Sequence, residues 1–208
     1  MRKFCVYGNP TIDIIRLSGG EEYVAYGGGS YYSSIPLLSK GDDVEVYAVY
    51  SPRLVRHPIS KFIVKMQYSL RTNTFLLEYT SSGERKVGVL EVSEPLYSWN
   101  SHEGLCYTIV NPVLGEVSLS MLKYLKHKSL MLAVDIQGFI RIIESGVIKT
   151  RLNPQVASVL SEADIVHLDF EEALSLSGSS NLEYSLTLIS KHIRGVAVVT
   201  SRPNIVFI

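Results

Sequence analysis

Apolar residues in this chain fall into short continuous runs that stop at polar or chain-breaking residues. Runs at 4–7, 44–50, 105–110, 130–134, 163–168 and 195–200 end at Gly8-Asn9-Pro10, before Pro52, at Asn111-Pro112, at Asp135, at Asp169 and at Ser201. Between several of them, residues 30–38, 114–127, 154–161, 170–176 and 183–192 carry apolar side chains three to four apart, the spacing of a helix with one buried face. Continuous apolar strands separated by helices predict a parallel sheet covered on both faces, a doubly wound α/β fold. Residues 14–26 and 74–92 break the alternation. Each holds two apolar segments around a polar turn, Ser18-Gly19-Gly20-Glu21 and Ser81-Ser82-Gly83-Glu84. These predict two β-hairpins that pair as a small antiparallel accessory layer.

Composition narrows the functional classes. With 208 residues, 46% hydrophobic, the chain can bury a sizeable core, and it is read as one α/β domain. Its 20 Lys+Arg balance 20 Asp+Glu, so there is no basic excess to favour nucleic acid or an anionic membrane. No run approaches the length of a membrane span, and Gly8-Asn9-Pro10 interrupts the first apolar stretch too early for a signal-peptide core, so a cytoplasmic location is expected. Cys5 and Cys106 sit in apolar runs and are expected as separate reduced core thiols.

In an open parallel sheet, ligands gather at the carboxyl ends of the strands. Asp13, Asn111, Asp135, Asp169 and Glu172 fall at or shortly after such ends. Carboxylates and an amide suit a hydroxyl-rich ligand and a hydrated magnesium ion. The same residues also end strands simply as helix caps and turn formers. Gly27-Gly28-Gly29 precedes the first helix and permits close backbone approach to a ligand beside free N–H donors. It has neither P-loop nor dinucleotide-binding spacing. Tyr23, Tyr26, Tyr31 and Tyr32 cluster around it. His167 alternates with Asp169 along a strand. Arg53, Arg56 and Lys61 form a basic cluster that reads as a solvated loop.

Taken in order, these segments resemble the ribokinase/pfkB family of carbohydrate and nucleoside kinases. Gly8-Asn9-Pro10-Thr11-Ile12-Asp13 is similar to that family's opening segment, and Gly27-Gly28 with Tyr32 and Ser34 to its glycine pair. Asp135-Ile136-Gln137-Gly138-Phe139-Ile140-Arg141 resembles the Asp-x-Gln-Gly segment of archaeal-type members. Asp169-Phe170-Glu171-Glu172 resembles the Asn-x-x-Glu motif, with Asp169 replacing Asn. The resemblance implies ATP-dependent phosphoryl transfer to a hydroxyl of a sugar or nucleoside. Asp13, Gly27, Gly28, Tyr32 and Asn111 would contact that acceptor. Asp169 and Glu172 would serve the ATP side, Glu172 holding magnesium through water. The hairpins at 14–26 and 74–92 would form a lid that also makes a homodimer contact.

One departure is large. The family's Gly-Ala-Gly-Asp, which supplies the general base and an anion cradle, occurs nowhere in these 208 residues, and the segment expected near Thr200 reads Thr200-Ser201-Arg202-Pro203. Two expectations follow. Either the chain is the C-terminally incomplete part of a kinase, which is preferred, or it is a kinase-like protein that binds sugar or nucleoside without catalysis.

Overall fold

A computed structural model of the chain describes residues 1–97, 101–151, 155–201 and 204–207. Its elements in order are β1 (Lys3–Tyr7), β2 (Pro10–Arg16), β3 (Glu22–Gly28), α1 (Gly29–Ser39), β4 (Asp43–Tyr50), β5 (Ile63–Tyr68), β6 (Asn73–Tyr79), β7 (Arg85–Glu91) and β8 (Cys106–Val110). There follow α2 (Leu119–His127), β9 (Ser129–Asp135), α3 (Gln137–Ile140), β10 (Arg141–Glu144), β11 (Val147–Thr150), α4 (Val156–Glu162) and β12 (Ile165–Asp169). The last are α5 (Phe170–Ser177), α6 (Leu182–Ser190), β13 (Val196–Ser201) and β14 (Asn204–Phe207). Two short 3-10 turns, Pro52–Arg56 and Pro58–Lys61, link β4 to β5. Arg202, Pro203, Pro154 and Ile208, on which some sequence expectations rested, lie outside the described residues.

The main sheet has the order β14-β13-β12-β9-β8-β1-β4-β5. Its neighbours are parallel except for β14, which runs antiparallel to β13. The expected mostly parallel sheet is present, and helices lie on both of its faces. α2, α4, α5 and α6 bury Met121, Leu122, Leu125, Val159, Leu160, Ala173, Leu176 and Ile189 against Leu132, Val134, Val166, Leu168 and Val199. At about 25 cal/mol per Å², a layer of this kind is the main favourable term in folding. On the other face, α1 sets Tyr31 and Leu37 against Val6, Val44, Val46 and Ala48. Beside it the face remains a groove of about 340 Å³ lined by Tyr32, Ile109, Ala133 and Ile165. Coverage of the two faces is therefore unequal among the described residues.

The second sheet corrects the expected antiparallel layer. Both hairpins form, β2–β3 and β6–β7, but they join through a parallel β2–β6 ladder, with Asp13 opposite Phe75. The reason is that β2 enters the sheet straight from β1, before the hairpin turn. A third hairpin, β10–β11, extends the sheet at β7 and gives the order β10-β11-β7-β6-β2-β3.

The expectation of separate thiols is also overturned. Cys5 on β1 and Cys106 on β8 are joined as a disulfide with Cα atoms 6.2 Å apart. Adjacency of two strands distant in sequence brings them together, within the usual range for such a bond. His102 lies beside them. Its Nδ1 accepts from the Tyr7 hydroxyl at 2.9 Å and its Nε2 donates to the Lys128 carbonyl at 2.9 Å. With its sulfurs bonded to each other and both ring nitrogens engaged, this cluster offers no ligand set for a metal.

Candidate functional site

The site is built on the crossing from the main sheet to the second sheet. Chain leaves β1 at Gly8, and Asn9 pins the corner with three hydrogen bonds. Its N–H donates to Glu116 Oε1 (3.1 Å), its Oδ1 accepts from Val49 N (2.8 Å), and its Nδ2 donates to Ser93 Oγ (2.8 Å). Glu116 is buried and also accepts from Val113 N (2.8 Å) and Leu114 N (2.7 Å). Burial pushes its carboxyl up, and the backbone N–H groups of Val113, Leu114, Asn9 and Glu116 itself pull it back. Its claim on the loop amides explains why the expected helix over 114–127 starts only at Leu119.

Close backbone approach then aligns three segments. A Cβ on Gly8 would lie 2.3 Å from the Asn111 carbonyl oxygen, and one on Gly29 would lie 2.0 Å from the same atom. Gly28 takes φ +103°, a conformation open to glycine, and caps α1 with no side-chain partner for the first-turn N–H groups. Gly27 plays another part. It sits in the β3 ladder, and its carbonyl accepts from Nε2 of the buried His57 at 2.9 Å. Nδ1 of that ring accepts from Ile59 N, which fixes the tautomer, and burial lowers the pKa of the ring.

Asp13 is the fourth residue of β2, four residues beyond Asn9. Its carboxyl is raised by burial, against a hydrogen bond from Thr11 and the charges of Arg85 and Arg141. It faces a cavity of about 340 Å³ shared with Gly28, Gly29, Tyr32, Asn111 and Asp135. The second sheet supplies the apolar roof, Phe75, Leu77, Val87 and Ile148. Asp13 and the glycines thus converge beneath a flap. Gly28, Gly29, Tyr32 and Asn111 share the cavity wall with Asp13, and Gly27 is not among its lining residues.

The neighbouring strand ends carry the charge. Asp135 Oδ1 accepts from Gln137 N (2.9 Å), and its Oδ2 accepts from His167 Nδ1 (2.8 Å). That bond raises the pKa of His167, against its burial. Asp169 and Glu172 form a reciprocal capping box at the start of α5, with Glu172 N donating to Asp169 Oδ1 (2.7 Å) and Asp169 N to Glu172 Oε2 (2.9 Å). The capping role weighed for these acids is therefore present in full. Burial, with the Asp169 and Asp135 charges, pushes Glu172 up to about 7. Asp169 lines a second cavity of about 560 Å³ with Arg85, Thr200 and Ser201, and Glu172, only 6% exposed, sits behind it.

Sequence reasoning missed Glu116, His57, Arg85 and Arg141. Arg141 was visible inside the Asp135–Arg141 segment, and Glu116 as an acid amid apolar loop residues. Nothing in the sequence showed which way Arg85 points. The basic cluster behaves as expected of a surface loop, with Arg53 paired to Glu91 at 2.6 Å.

Comparison of the sequence with protein-family models gives no match, and comparison with curated proteins gives none. Solved structures do match. A pyrophosphate-dependent kinase in the ribokinase family, complexed with a pyrophosphate analogue and myo-inositol, superposes with a TM-score of 0.87 at 21% identity, over 99% of this chain and 75% of that one. Ribokinase from Thermotoga maritima gives 0.71 at 12% identity, over 100% and 75% of the two chains. Aminoimidazole riboside kinase from Salmonella enterica, complexed with aminoimidazole riboside and an ATP analogue, gives 0.72 at 13%, over 100% and 73%. The fold is that of the ribokinase-family kinases. At this level of identity the likeness defines the architecture. The chain spans about three quarters of the length of these structures.

Proposed function

We propose that the chain is the acceptor-binding part of a pfkB-type kinase, a single ribokinase-like domain that transfers a phosphoryl group to a hydroxyl of a sugar or nucleoside. The observation that carries this reading is the convergence of Asp13 with Gly28 and Gly29 on one roofed cavity. The Asp13 carboxylate accepts from acceptor hydroxyls, the uncapped N–H groups at the start of α1 donate to acceptor oxygens, and Asn111 and Tyr32 border the ring. The second sheet acts as the lid that keeps water from the reacting hydroxyl, which suits a reaction dominated by positioning. The free edge of that sheet, β3, exposes Tyr23 and Val24 and is the surface for a homodimer.

The donor is a polyphosphate, ATP in the reading from sequence or pyrophosphate as in the similar kinase. Magnesium would neutralise the charge on the donor oxygens. Asp169 and Glu172 each commit one oxygen to the capping box, which leaves Asp169 Oδ2 and Glu172 Oε1 to meet an aquated ion. Asp169 is the better placed, since it lines the cavity. No Gly-Ala-Gly-Asp occurs in these 208 residues, and none of them is assigned as the general base. The protein is taken to work in the cytoplasm, and no helix among the described residues is long and apolar enough to cross a membrane.

Calorimetric titration of neutral polyols, with myo-inositol, ribose and adenosine as probes, tests the reading. Asp13→Ala should weaken the best of them by about 2 kcal/mol, roughly thirty-fold, because a half-buried carboxylate pairs with its hydroxyls. Equal affinity of variant and parent would remove Asp13 from the site.

A further inference from the structure

Two arginines in the site have no role in acceptor binding as derived above. Arg85 stands at the start of β7 on the second sheet, and Arg141 opens β10 from the end of α3. Both face the acceptor cavity. Arg85 also lines the second cavity, beside Asp169 and Thr200. It is the side chain at which the two spaces meet.

Neither guanidinium has a carboxylate in salt-bridge contact among the described residues, in contrast to Arg2, Arg16, Arg53 and Arg71. Among the described residues the Arg141 guanidinium makes one hydrogen bond, a long one of 3.4 Å to the Val113 carbonyl. Arg141 is half-buried, and burial together with the charge of Arg85 lowers its pKa, against the attraction of Glu172, Asp135 and Asp169. Two like charges drawn together at the edge of an enclosed space are stabilised by an anion placed between them. Guanidinium forks match phosphate oxygens in pairs.

We propose that Arg85 and Arg141 form a phosphate-binding subsite at the junction of the two cavities, which holds the transferable phosphoryl group of a polyphosphate donor. The inference rests on the kinase reading and adds to it the place where donor and acceptor meet. Arg85 rides on the second sheet, so the same sheet that roofs the acceptor also grips the donor. Closure over one ligand then favours the other.

Inorganic pyrophosphate is the probe, titrated calorimetrically in magnesium buffer at fixed ionic strength. Arg85→Ala should lower its affinity at least ten-fold, and Arg85→Lys should recover part of the loss. Arg194→Ala, at a separate cavity on the far side of α4, should match the parent and so exclude a general charge effect. Affinity for a neutral polyol should change less than three-fold in Arg85→Ala, while Asp13→Ala, which removes a negative charge beside both arginines, should not weaken pyrophosphate binding. Arg141→Gln is read only beside a circular dichroism melt, and the exposed Arg85 keeps the test open if that variant unfolds. No pyrophosphate binding by the parent, equal binding by Arg85→Ala, or equal losses in Arg85→Ala and Arg194→Ala would each overturn the subsite. Gluconate serves as an acidic acceptor. If gluconate affinity needed Arg85 and pyrophosphate affinity did not, the anion would belong to the acceptor and the donor assignment would be wrong. Should pyrophosphate bind through Arg85 while no polyol binds, the acceptor reading fails and the subsite stands.

Discussion

Two neighbouring corners of the sheet solve different physical problems. At the β1–β8 end, polar groups are locked to backbone: Asn9 satisfies its N–H and both side-chain ends, Glu116 accepts three amides, and glycines press against the Asn111 carbonyl with no room for a methyl group. At the β9–β12 end, His167, Asp135, Asp169 and Glu172 bond mainly to one another and retain oxygens for other partners. The first corner fixes geometry and the second holds adjustable charge. The proposed kinase, which would position a neutral acceptor beside a polyanionic donor, needs both properties, one on each side.

The sharpest way to break that contrast is to add one carbon atom to the rigid corner. Gly29→Ala would set a Cβ 2.0 Å from the Asn111 oxygen, against backbone that cannot rotate away. Relieving that clash should cost about 4 kcal/mol and lower Tm by roughly 10 °C. Gly19→Ala, where nothing lies within 4 Å, should be nearly neutral. Equal melting temperatures for the two variants would show that the corner is softer than its contacts imply.

Glu116 tests the same corner by chemistry. Removing its carboxylate strands the amides of Asn9, Val113 and Leu114 in the interior. Glu116→Ala should cost about 3 kcal/mol in urea denaturation, with Glu116→Gln intermediate because one oxygen remains. The acceptor affinity of folded Glu116→Ala should also fall, since the entry to β2 and hence the position of Asp13 depends on Asn9. A stability loss within error of zero would make Glu116 a bystander.

The strands of the main sheet were legible because buried parallel strands are continuous apolar runs, and 4–7, 44–50 and 195–200 stand out on that ground alone. β5 was not. It is an edge strand of mixed character, with Met66 and Tyr68 exposed, and it follows two proline-led turns. The β10–β11 hairpin has strands of only four residues, although Ser145-Gly146, both at positive φ, is a turn signal that could have marked it. Asp13, Gly28, Tyr32 and Asn111, which line one cavity, were singled out by the family resemblance. The exchange of Gly27 for Gly29 could not be foreseen, because it depends on which amide lies at the strand-to-helix step. Cys5 and Cys106 were misread for a related reason. Sequence shows that each is apolar in setting, but only the strand order shows that they are neighbours.

The charged corner makes the smallest of these predictions and the one most particular to it. Glu172 has a folded pKa near 7 against 4.5 for an ordinary glutamate, so the folded state holds its proton more tightly than the unfolded chain does. The stability linked to that proton is fully present below pH 4.5 and is lost as pH rises through 7. His167 acts in the same direction, because its pKa is raised by Asp135 and its contribution is complete below about 6.5 and lost above the folded value. Asp13, also raised by burial, acts in the same direction. Acids whose pKa is lowered, such as Asp164 and Glu45, oppose the trend only at more acid pH, whereas His57 and His102, both lowered by burial, oppose it as pH rises through about 6.5. In metal-free buffer, unfolding free energy should therefore fall by about 2 kcal/mol between pH 5 and 8. Glu172→Gln keeps a side chain that can accept from Asp169 N but cannot ionise, and it should flatten most of that slope and be the more stable protein at pH 8. Glu172→Gln combined with His167→Gln should remove the remaining fall and leave the opposite slope of His57 and His102. If the parent is equally stable at pH 5 and 8, or if Glu172→Gln keeps the full slope, the adjustable charge does not reside at this corner and the contrast with the β1–β8 end collapses.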